Sequence, residues 1–367
     1  MKIGIISTYN VECGISTYSE HLAEHFPVGK TTIFGNQLLT LSDTKSNLTH
    51  PIIRCWNRFG NFKDLTEKII KNKMDVVHFQ HEFGLFQDND SFCEMLKTLH
   101  EKGIKIVITF HTIFSDKFHA QNNTLRRLFR YIDLVIVHQD GAKEMLDIEN
   151  VVVIPHGSVE VKAKSRKESR KYLNISEDKF VCMFLGFISP NKGQVEASVA
   201  AMNLKRLYPN IQLIIAGLPV IHGSHFENLE YCLNLFRGVK RMGGFDTIKI
   251  IPKFIDEADF DYYAGAADIF IENHGNTHYS TSGISHLIMS YGLPSVSSRA
   301  FILDDLNDSR SIKFNVGDIK GMERAIEQLI MDENLRKTIA KNARKFAEET
   351  MWDKTAEKHL KHYERLI

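Results

Sequence analysis

The chain has little cysteine, almost no net charge and no long apolar run, and each lack narrows what it can be. Five cysteines among 367 residues (Cys13, Cys55, Cys93, Cys182 and Cys232) are odd in number and scattered, with no C-x-x-C spacing. That excludes a disulfide-framed mini-domain and a cysteine zinc site, and it favours a reducing compartment. Net charge is +1, from 46 Lys and Arg against 45 Asp and Glu, so no basic field is present to hold nucleic acid. No apolar stretch approaches the length of a bilayer span. The N-terminus, Met1-Lys-Ile-Gly-Ile-Ile-Ser-Thr, reads as a strand with polar residues after it rather than as a secretory leader, so the expected location is the cytoplasm. Neither G-x-G-x-x-G nor G-x-x-x-x-G-K-[ST] occurs, which argues against a dinucleotide fingerprint and against a P-loop NTPase. No internal repeat is visible.

What is present is a soluble globular composition, 43% hydrophobic and 25% charged, in a chain long enough for two cores. Short apolar runs alternate with helical patterns. Strands are expected at Ile3–Ser7, Val76–Gln80, Ile106–Phe110, Leu134–Val137 and Val151–Ile154, then at Val181–Leu185, Leu213–Ala216, Ile248–Ile251, Ile269–Glu272 and Ser295–Ser297. That alternation predicts an α/β protein, a doubly wound parallel sheet built twice. A boundary is placed after Pro155-His-Gly157, because Lys162 to Lys171 carries six Lys or Arg among ten residues. A solvated linker or outer helix face accounts for that cluster most simply, with contact to anionic lipid as the lesser reading.

The segment Asn273-His-Gly-Asn-Thr-His-Tyr-Ser-Thr-Ser-Gly283 reads as a polar loop leading to a helix. Ser282 can cap that helix, and Gly283 lets an anion approach its unpaired N–H groups. Ile284, Leu287, Ile288 and Tyr291 then form one apolar stripe, until Gly292-Leu-Pro294 stops the helix. Three further sites lie past strand ends, where open α/β sheets place chemistry. In Asn10-Val-Glu-Cys-Gly-Ile-Ser-Thr-Tyr18, Gly14 permits close approach and Ser16 or Thr17 can cap a helix. His78-Phe-Gln-His-Glu82 and Thr109-Phe-His-Thr112 bring histidines that can donate to sugar hydroxyls or to a developing oxyanion. A metal at His78 and His81 is disfavoured, since neighbours three apart on a strand point to opposite faces. In Gly186-Phe-Ile-Ser-Pro-Asn-Lys-Gly193, Lys192 offers a mobile cation beside backbone donors, which suits a diphosphate.

Together these segments resemble the GT-B fold retaining glycosyltransferases of group 1, the family-4-like enzymes of lipid and polysaccharide assembly. Gly14-Ile-Ser-Thr-Tyr-Ser is similar to the family's acceptor-side glycine loop, and Thr109-Phe-His-Thr to the segment carrying its active-site histidine. Gly186 to Gly193 resembles the donor-phosphate loop. Ala267-Asp-Ile-Phe-Ile and Ser290-Tyr-Gly-Leu-Pro-Ser-Val bracket the donor helix. The resemblance implies two Rossmann-like domains facing a cleft: an acceptor-side domain over 1–157, a nucleotide-sugar domain over 158–345, and a C-terminal helix over 346–367, with Trp352, returning to the first. It implies transfer of a sugar, with retention, from a nucleotide diphosphate sugar to a hydroxyl of a glycan, lipid-linked or small-molecule acceptor. His111 and Lys192 would be catalytic. Gly186, Phe187, Lys192, Gly193, Gly217, Ser280, Thr281, Ser282, Gly283 and Ile284 would hold the donor, and Gly14, Ile15, Ser16, His81 and Glu82 would face the acceptor. No cofactor or metal is called for: Asp88-Asn-Asp90 and Asp259-Phe-Asp261 read as a turn and a helix face. Peripheral contact with the inner membrane face is compatible with such an acceptor, and the oligomeric state stays open.

The chain also departs from the pattern. Phe187 stands where the family has a phosphate-loop arginine, leaving Lys192 as the one cation there, and the two family glutamates align with Tyr279 and Leu287. A subgroup with Ser-Gly in the first of these regions is similar to Ser280-Thr-Ser-Gly283. A binding protein that has lost catalysis, a nucleotide-sugar epimerase and a phosphorylase therefore stay open as alternatives.

Overall fold

The computed structural model describes residues 1–367 except 12, 38–48, 59, 87–89, 114–125, 147, 220–224 and 276–280. The chain divides into two compact units, one holding Met1–Gly157 and Thr350–Ile367, the other Ser158–Thr277 and Ile284–Glu349. Thr281, Ser282 and Gly283 group with the first.

In the first unit, seven strands run β1 (Ile3–Ser7), β2 (Thr31–Asn36), β3 (Ile52–Trp56), β4 (Val76–His81), β5 (Lys105–Phe110), β6 (Leu134–Val137) and β7 (Val151–Val153). They form one parallel sheet ordered β3-β2-β1-β4-β5-β6-β7. Helices cover both faces of the central strands, so all of Ile3–Ser7 and Val76–His81 is buried, the polar Ser7, His78, Gln80 and His81 included. The order reverses between β1 and β4, so the loops after these strands leave on opposite sides and a crevice opens between them.

The second unit repeats the plan with six parallel strands: β8 (Phe180–Leu185), β9 (Ile211–Ala216), β10 (Ile248–Ile251), β11 (Ile269–Glu272), β12 (Ser295–Ser298) and β13 (Ile312–Phe314). Their order is β10-β9-β8-β11-β12-β13, with the reversal between β8 and β11. Ala197, Ala200 and Ala201 of the helix Gln194–Leu204 pack with Leu213, Ile215 and Ile326 on one face. Val181, Met183, Phe270 and Tyr263 fill the other. Among the described residues, no helix is long and apolar enough to cross a membrane.

Several expectations need correction. Strands β2, β3 and β13 are not among the expected ones; β3 and β13 lie at sheet edges, and β2 carries only Ile33 and Phe34 as an apolar run. The basic cluster is not simply solvated. Arg170, on the helix Arg166–Tyr172, is fully buried and meets Asp268 at 2.9 Å, while Arg166 reaches the same carboxylate at 2.6 Å. In the helix Gly283–Tyr291 the apolar stripe is only partly covered, apart from Ile288. The more deeply buried face carries Ser285, His286, Met289 and Ser290. His286 is held there by Asp305 at 3.1 Å, and the Ser290 hydroxyl receives the Val159 N–H at 3.2 Å. Ile284, Leu287 and Tyr291 instead line a small cavity of about 10 Å³ with Leu185 and Phe270.

Candidate functional site

In the first unit the loop after β1 enters the helix Gly14–Glu24 with Cys13 at the cap position, not Ser16 or Thr17. Ser16 has another task. Its Oγ accepts the Val11 N–H at 3.1 Å and donates to Glu20 Oε1 at 2.7 Å. Glu20 also takes the Asn10 N–H at 3.0 Å, and this fixes a loop in which Asn10 has φ 57°. Gly14 meets nothing within 4 Å of a Cβ position, so the helix start is open on that side. Ile15 follows it, with its carbonyl taking the Ser19 hydroxyl at 2.7 Å.

The histidines are joined rather than alone, and His78 sits inside β4 rather than past its end, while His111 follows β5. The Tyr363 hydroxyl, on the helix Trp352–Leu366, is hydrogen-bonded to His78 Nδ1 at 2.6 Å. His78 Nε2 is hydrogen-bonded to Thr109 Oγ1 at 2.7 Å, and the Gln80 amide nitrogen lies 3.3 Å from the same ring nitrogen. His111 Nε2 meets Gln80 Oε1 at 2.9 Å, and an amide oxygen accepts only, so the His111 proton sits on Nε2. The rings of Tyr18 and His138 pack on His111 at 4.8 and 5.3 Å between centroids. Burial, with neighbouring histidines adding to it, holds His78 and His111 well below the ordinary imidazole range, so both are neutral at pH 7. His359, as fully buried as His78, is pushed down to about 3. Burial also raises the Tyr18 and Tyr363 phenols, which stay protonated. Trp352 packs on Tyr18 at 4.9 Å and stacks on His21 at 5.6 Å. His81 is fully buried, its ring against Phe86 and Phe110. The Glu82 carboxylate binds the Gly84 N–H and takes the Thr112 hydroxyl at 3.3 Å.

In the second unit the loops after β8 and β9 approach closely. Gly186 has φ 109° and Gly217 φ 154°, and a Cβ on Gly217 would lie 1.9 Å from the Gly186 carbonyl oxygen. Only glycine fits there, and the bond from Ile188 N–H to the Leu218 carbonyl at 2.8 Å extends the pairing into the loop. Phe187 is 42% exposed; its carbonyl accepts from Gln194 Nε2 at 3.0 Å. Gly193, φ 70°, begins the helix Gln194–Leu204, and a Cβ there would collide with the Asn273 amide at 1.9 Å.

Lys192 is not the mobile cation expected. Its Nζ donates to His274 Nε2 at 2.8 Å, and Glu272 Oε2 lies 3.5 Å from the same nitrogen. Burial lowers both the Lys192 ammonium and the His274 imidazole, with the two cations opposing each other at His274 and Glu272 favouring charge on both. Lys192 comes from the loop after β8 and His274 from the loop after β11, the two strands at which the sheet order reverses. The sequence reading missed His274 and Glu272. The available signal was their place at the end of an apolar strand facing the Lys192 loop. Gly186, Gly217 and Ile284 lie together, Ile284 3.6 Å from a Cβ position on Gly186. Thr281, partly buried, and Ser282, 6% exposed, precede Gly283, whose Cβ position is 3.5 Å from His156 Nε2. Ser280 and Tyr279 lie outside the described residues, as do Asp88 and Asn89. Asp259 and Asp261 lie on the helix Glu257–Ala266; Asp259 receives the Tyr172 hydroxyl and Asp261 that of Tyr291. Among the described residues no group of three or more His, Cys, Asp or Glu side chains is placed to hold a metal ion.

Two parallel-sheet Rossmann-like units define the GT-B class of glycosyltransferase. Solved structures agree on the fold. Anabaena Alr3699/HepE, crystallised with UDP, is 17% identical with a TM-score of 0.79 and covers 100% of both chains. Sucrose-phosphate synthase from Thermosynechococcus elongatus is 15% identical with a TM-score of 0.78, covering 100% of this chain and 99% of its own. Residues 165–346 match the family Glycosyl transferases group 1, and residues 38–158 match Glycosyltransferase Family 4. The chain belongs to the group 1 glycosyltransferases. Among curated relatives, lipopolysaccharide 1,2-N-acetylglucosaminetransferase of Salmonella typhimurium is 31% identical over 103 residues, and the match spans 28% of this chain and only 27% of that relative's length.

Proposed function

We propose that this glycosyltransferase moves a sugar from a nucleoside diphosphate sugar to a hydroxyl of a glycan, glycolipid or small-molecule acceptor. The observation that carries this reading is Lys192 beside His274, at the point where the second sheet reverses its order. That crevice, with the tight Gly186 and Gly217 backbone next to it, suits a diphosphate. The named ligand of Alr3699/HepE, UDP, makes uridine the first base to try.

In the reaction the bond between the anomeric carbon and the β-phosphate oxygen breaks, and the electron pair leaves with the phosphate. The acceptor oxygen bonds to the anomeric carbon and loses its proton, which the departing phosphate takes. The Lys192 ammonium and backbone N–H groups meet the developing negative charge, and such fixed groups act most strongly in the transition state. His111, neutral and protonated on Nε2, would contact sugar hydroxyls. The family resemblance favours retention of configuration. A second reading has its own support: Phe187 and Leu287 replace charged family residues, as a binding protein without catalysis would allow.

A thermal-shift series with UDP, GDP, ADP and CMP separates the two. One nucleotide at a hundred times its dissociation constant should stabilise the fold by about 2.7 kcal/mol, and a scaffold should respond to none. Lys192→Ala should keep the fold and weaken that nucleotide by about 2 kcal/mol, read by calorimetry. Unchanged affinity would remove Lys192 from the site.

A further inference from the structure

A diphosphate carries two to three negative charges, and the loop after β8 meets it with one ammonium, because Phe187 supplies none. The missing charge has a candidate 2.8 Å away. Lysine has no acceptor, so Lys192 Nζ donates and His274 Nε2 offers its lone pair. The His274 backbone is fixed on both sides: its N–H donates to Ser298 Oγ at 3.0 Å, and that hydroxyl donates back to the His274 carbonyl at 2.9 Å. The ring is buried and so is Glu272, whose carboxylate lies 3.5 Å from Nε2, facing a lone pair to which it cannot bond. The charged groups around the imidazole are therefore Lys192 from one loop and Glu272 from its own strand end. Lys313 on β13 acts on Glu272, and the Glu196 carboxylate lies 3.3 Å from a Cβ position on Gly193.

We propose that His274 is the second phosphate-binding group of this site, taking a proton on Nε2 when a diphosphate draws the Lys192 ammonium onto itself. The inference rests on the reading that the second unit holds a nucleoside diphosphate. The balance is simple. Lys192 keeps its three protons, and the imidazole gains one from solvent. Before the exchange the imidazole faces a cation, which opposes protonation. Afterwards it faces a phosphate oxygen and Glu272, and both favour the imidazolium. The new N–H donates to the phosphate as a charge-assisted bond, and Glu272 loses its unfavourable neighbour.

The test is calorimetric titration of the full chain with UDP, and with GDP and ADP in parallel. It is run at pH 8 in Tris and in HEPES, buffers whose ionisation heats differ. At that pH the terminal phosphate, with its second pKa about 6, is already ionised and contributes little. The wild type should take up about 0.5–1 proton per nucleotide bound. His274→Gln should bind about tenfold more weakly with no uptake, at an unchanged melting temperature. If that variant does not fold, Glu272→Gln serves in its place: it keeps the imidazole, and uptake should fall. Binding by the wild type without proton uptake overturns the role of His274 and leaves the donor reading standing, as does uptake that persists in the variant that folds. Failure of all three nucleotides to bind brings down both.

Discussion

The two units share one plan, a parallel sheet whose order reverses once, yet they fill the polar ground at that reversal in opposite ways. In the first, Tyr363, His78, Thr109, Gln80 and His111 satisfy one another as neutral donors and acceptors. In the second, Lys192, His274 and Glu272 form a cluster that contains charge. A neutral network can close on itself only if each histidine holds its tautomer, and a proton added there would find no carboxylate among the bonds named. A charged cluster has partners to trade, so an anion can enter by exchange. Under the proposed function, the neutral network of the first unit would serve hydroxyls and the charged cluster of the second the anion.

Acid should break this comparison most visibly. His78 and His359 are buried and titrate below the unfolded value of 6.5, His359 at about 3. Above pH 6.5 neither form carries the proton, and stability is unaffected. As pH falls from 6.5 toward 3 the unfolded chain binds protons that the folded chain refuses, so stability is lost. The cost is about 2 kcal/mol per histidine at pH 5. The two tryptophans, Trp56 and Trp352, both belong to the first unit, so their fluorescence reports its unfolding alone. The tryptophan transition in urea should move to lower denaturant between pH 7.5 and pH 5. A transition indifferent to pH would mean that these histidines are not held neutral.

His111→Ala sharpens the functional side of the contrast. It should lower the rate of sugar transfer about a hundredfold while sparing nucleotide affinity. Loss of affinity as large as that from Lys192→Ala would show that the two units do not divide the work in this way. The smallest effect expected is from Tyr363→Phe. It removes the buried hydrogen bond between Tyr363 and His78 Nδ1, a cost of about 1–3 kcal/mol in the tryptophan-detected transition. An unchanged midpoint would mean that the hydroxyl is not part of the network.

Legibility followed local pattern. Ile3–Ser7, Ile248–Ile251 and Ile269–Glu272 were readable to the residue because each is a short, mostly apolar run between polar or helical segments. Thr31–Asn36 was not, since Gly35 and flanking polar residues leave only Ile33 and Phe34 as signal. Ile312–Phe314 was not, since a three-residue edge strand is defined by its pairing with β12. In the helix Gly283–Tyr291 the apolar stripe does meet the core, through Ile288 and Ile284, but a second, polar face is buried as well. Its Ser and His residues are buried because Asp305 and the Val159 N–H meet them, and the helix alone carries no sign of either.

The sequence by itself determined the α/β class and the two sheets, and it put Gly186, Lys192 and His111 past strand ends; His78, expected there too, sits inside β4. Alternating apolar runs encode burial locally, residue by residue. Which polar groups meet was decided only by the tertiary structure. Lys192 and His274 lie 82 residues apart, and Tyr363 and His78 lie 285 apart. No local pattern specifies such pairs, because each forms only when strand order brings distant loops together and burial makes an unpaired polar atom costly.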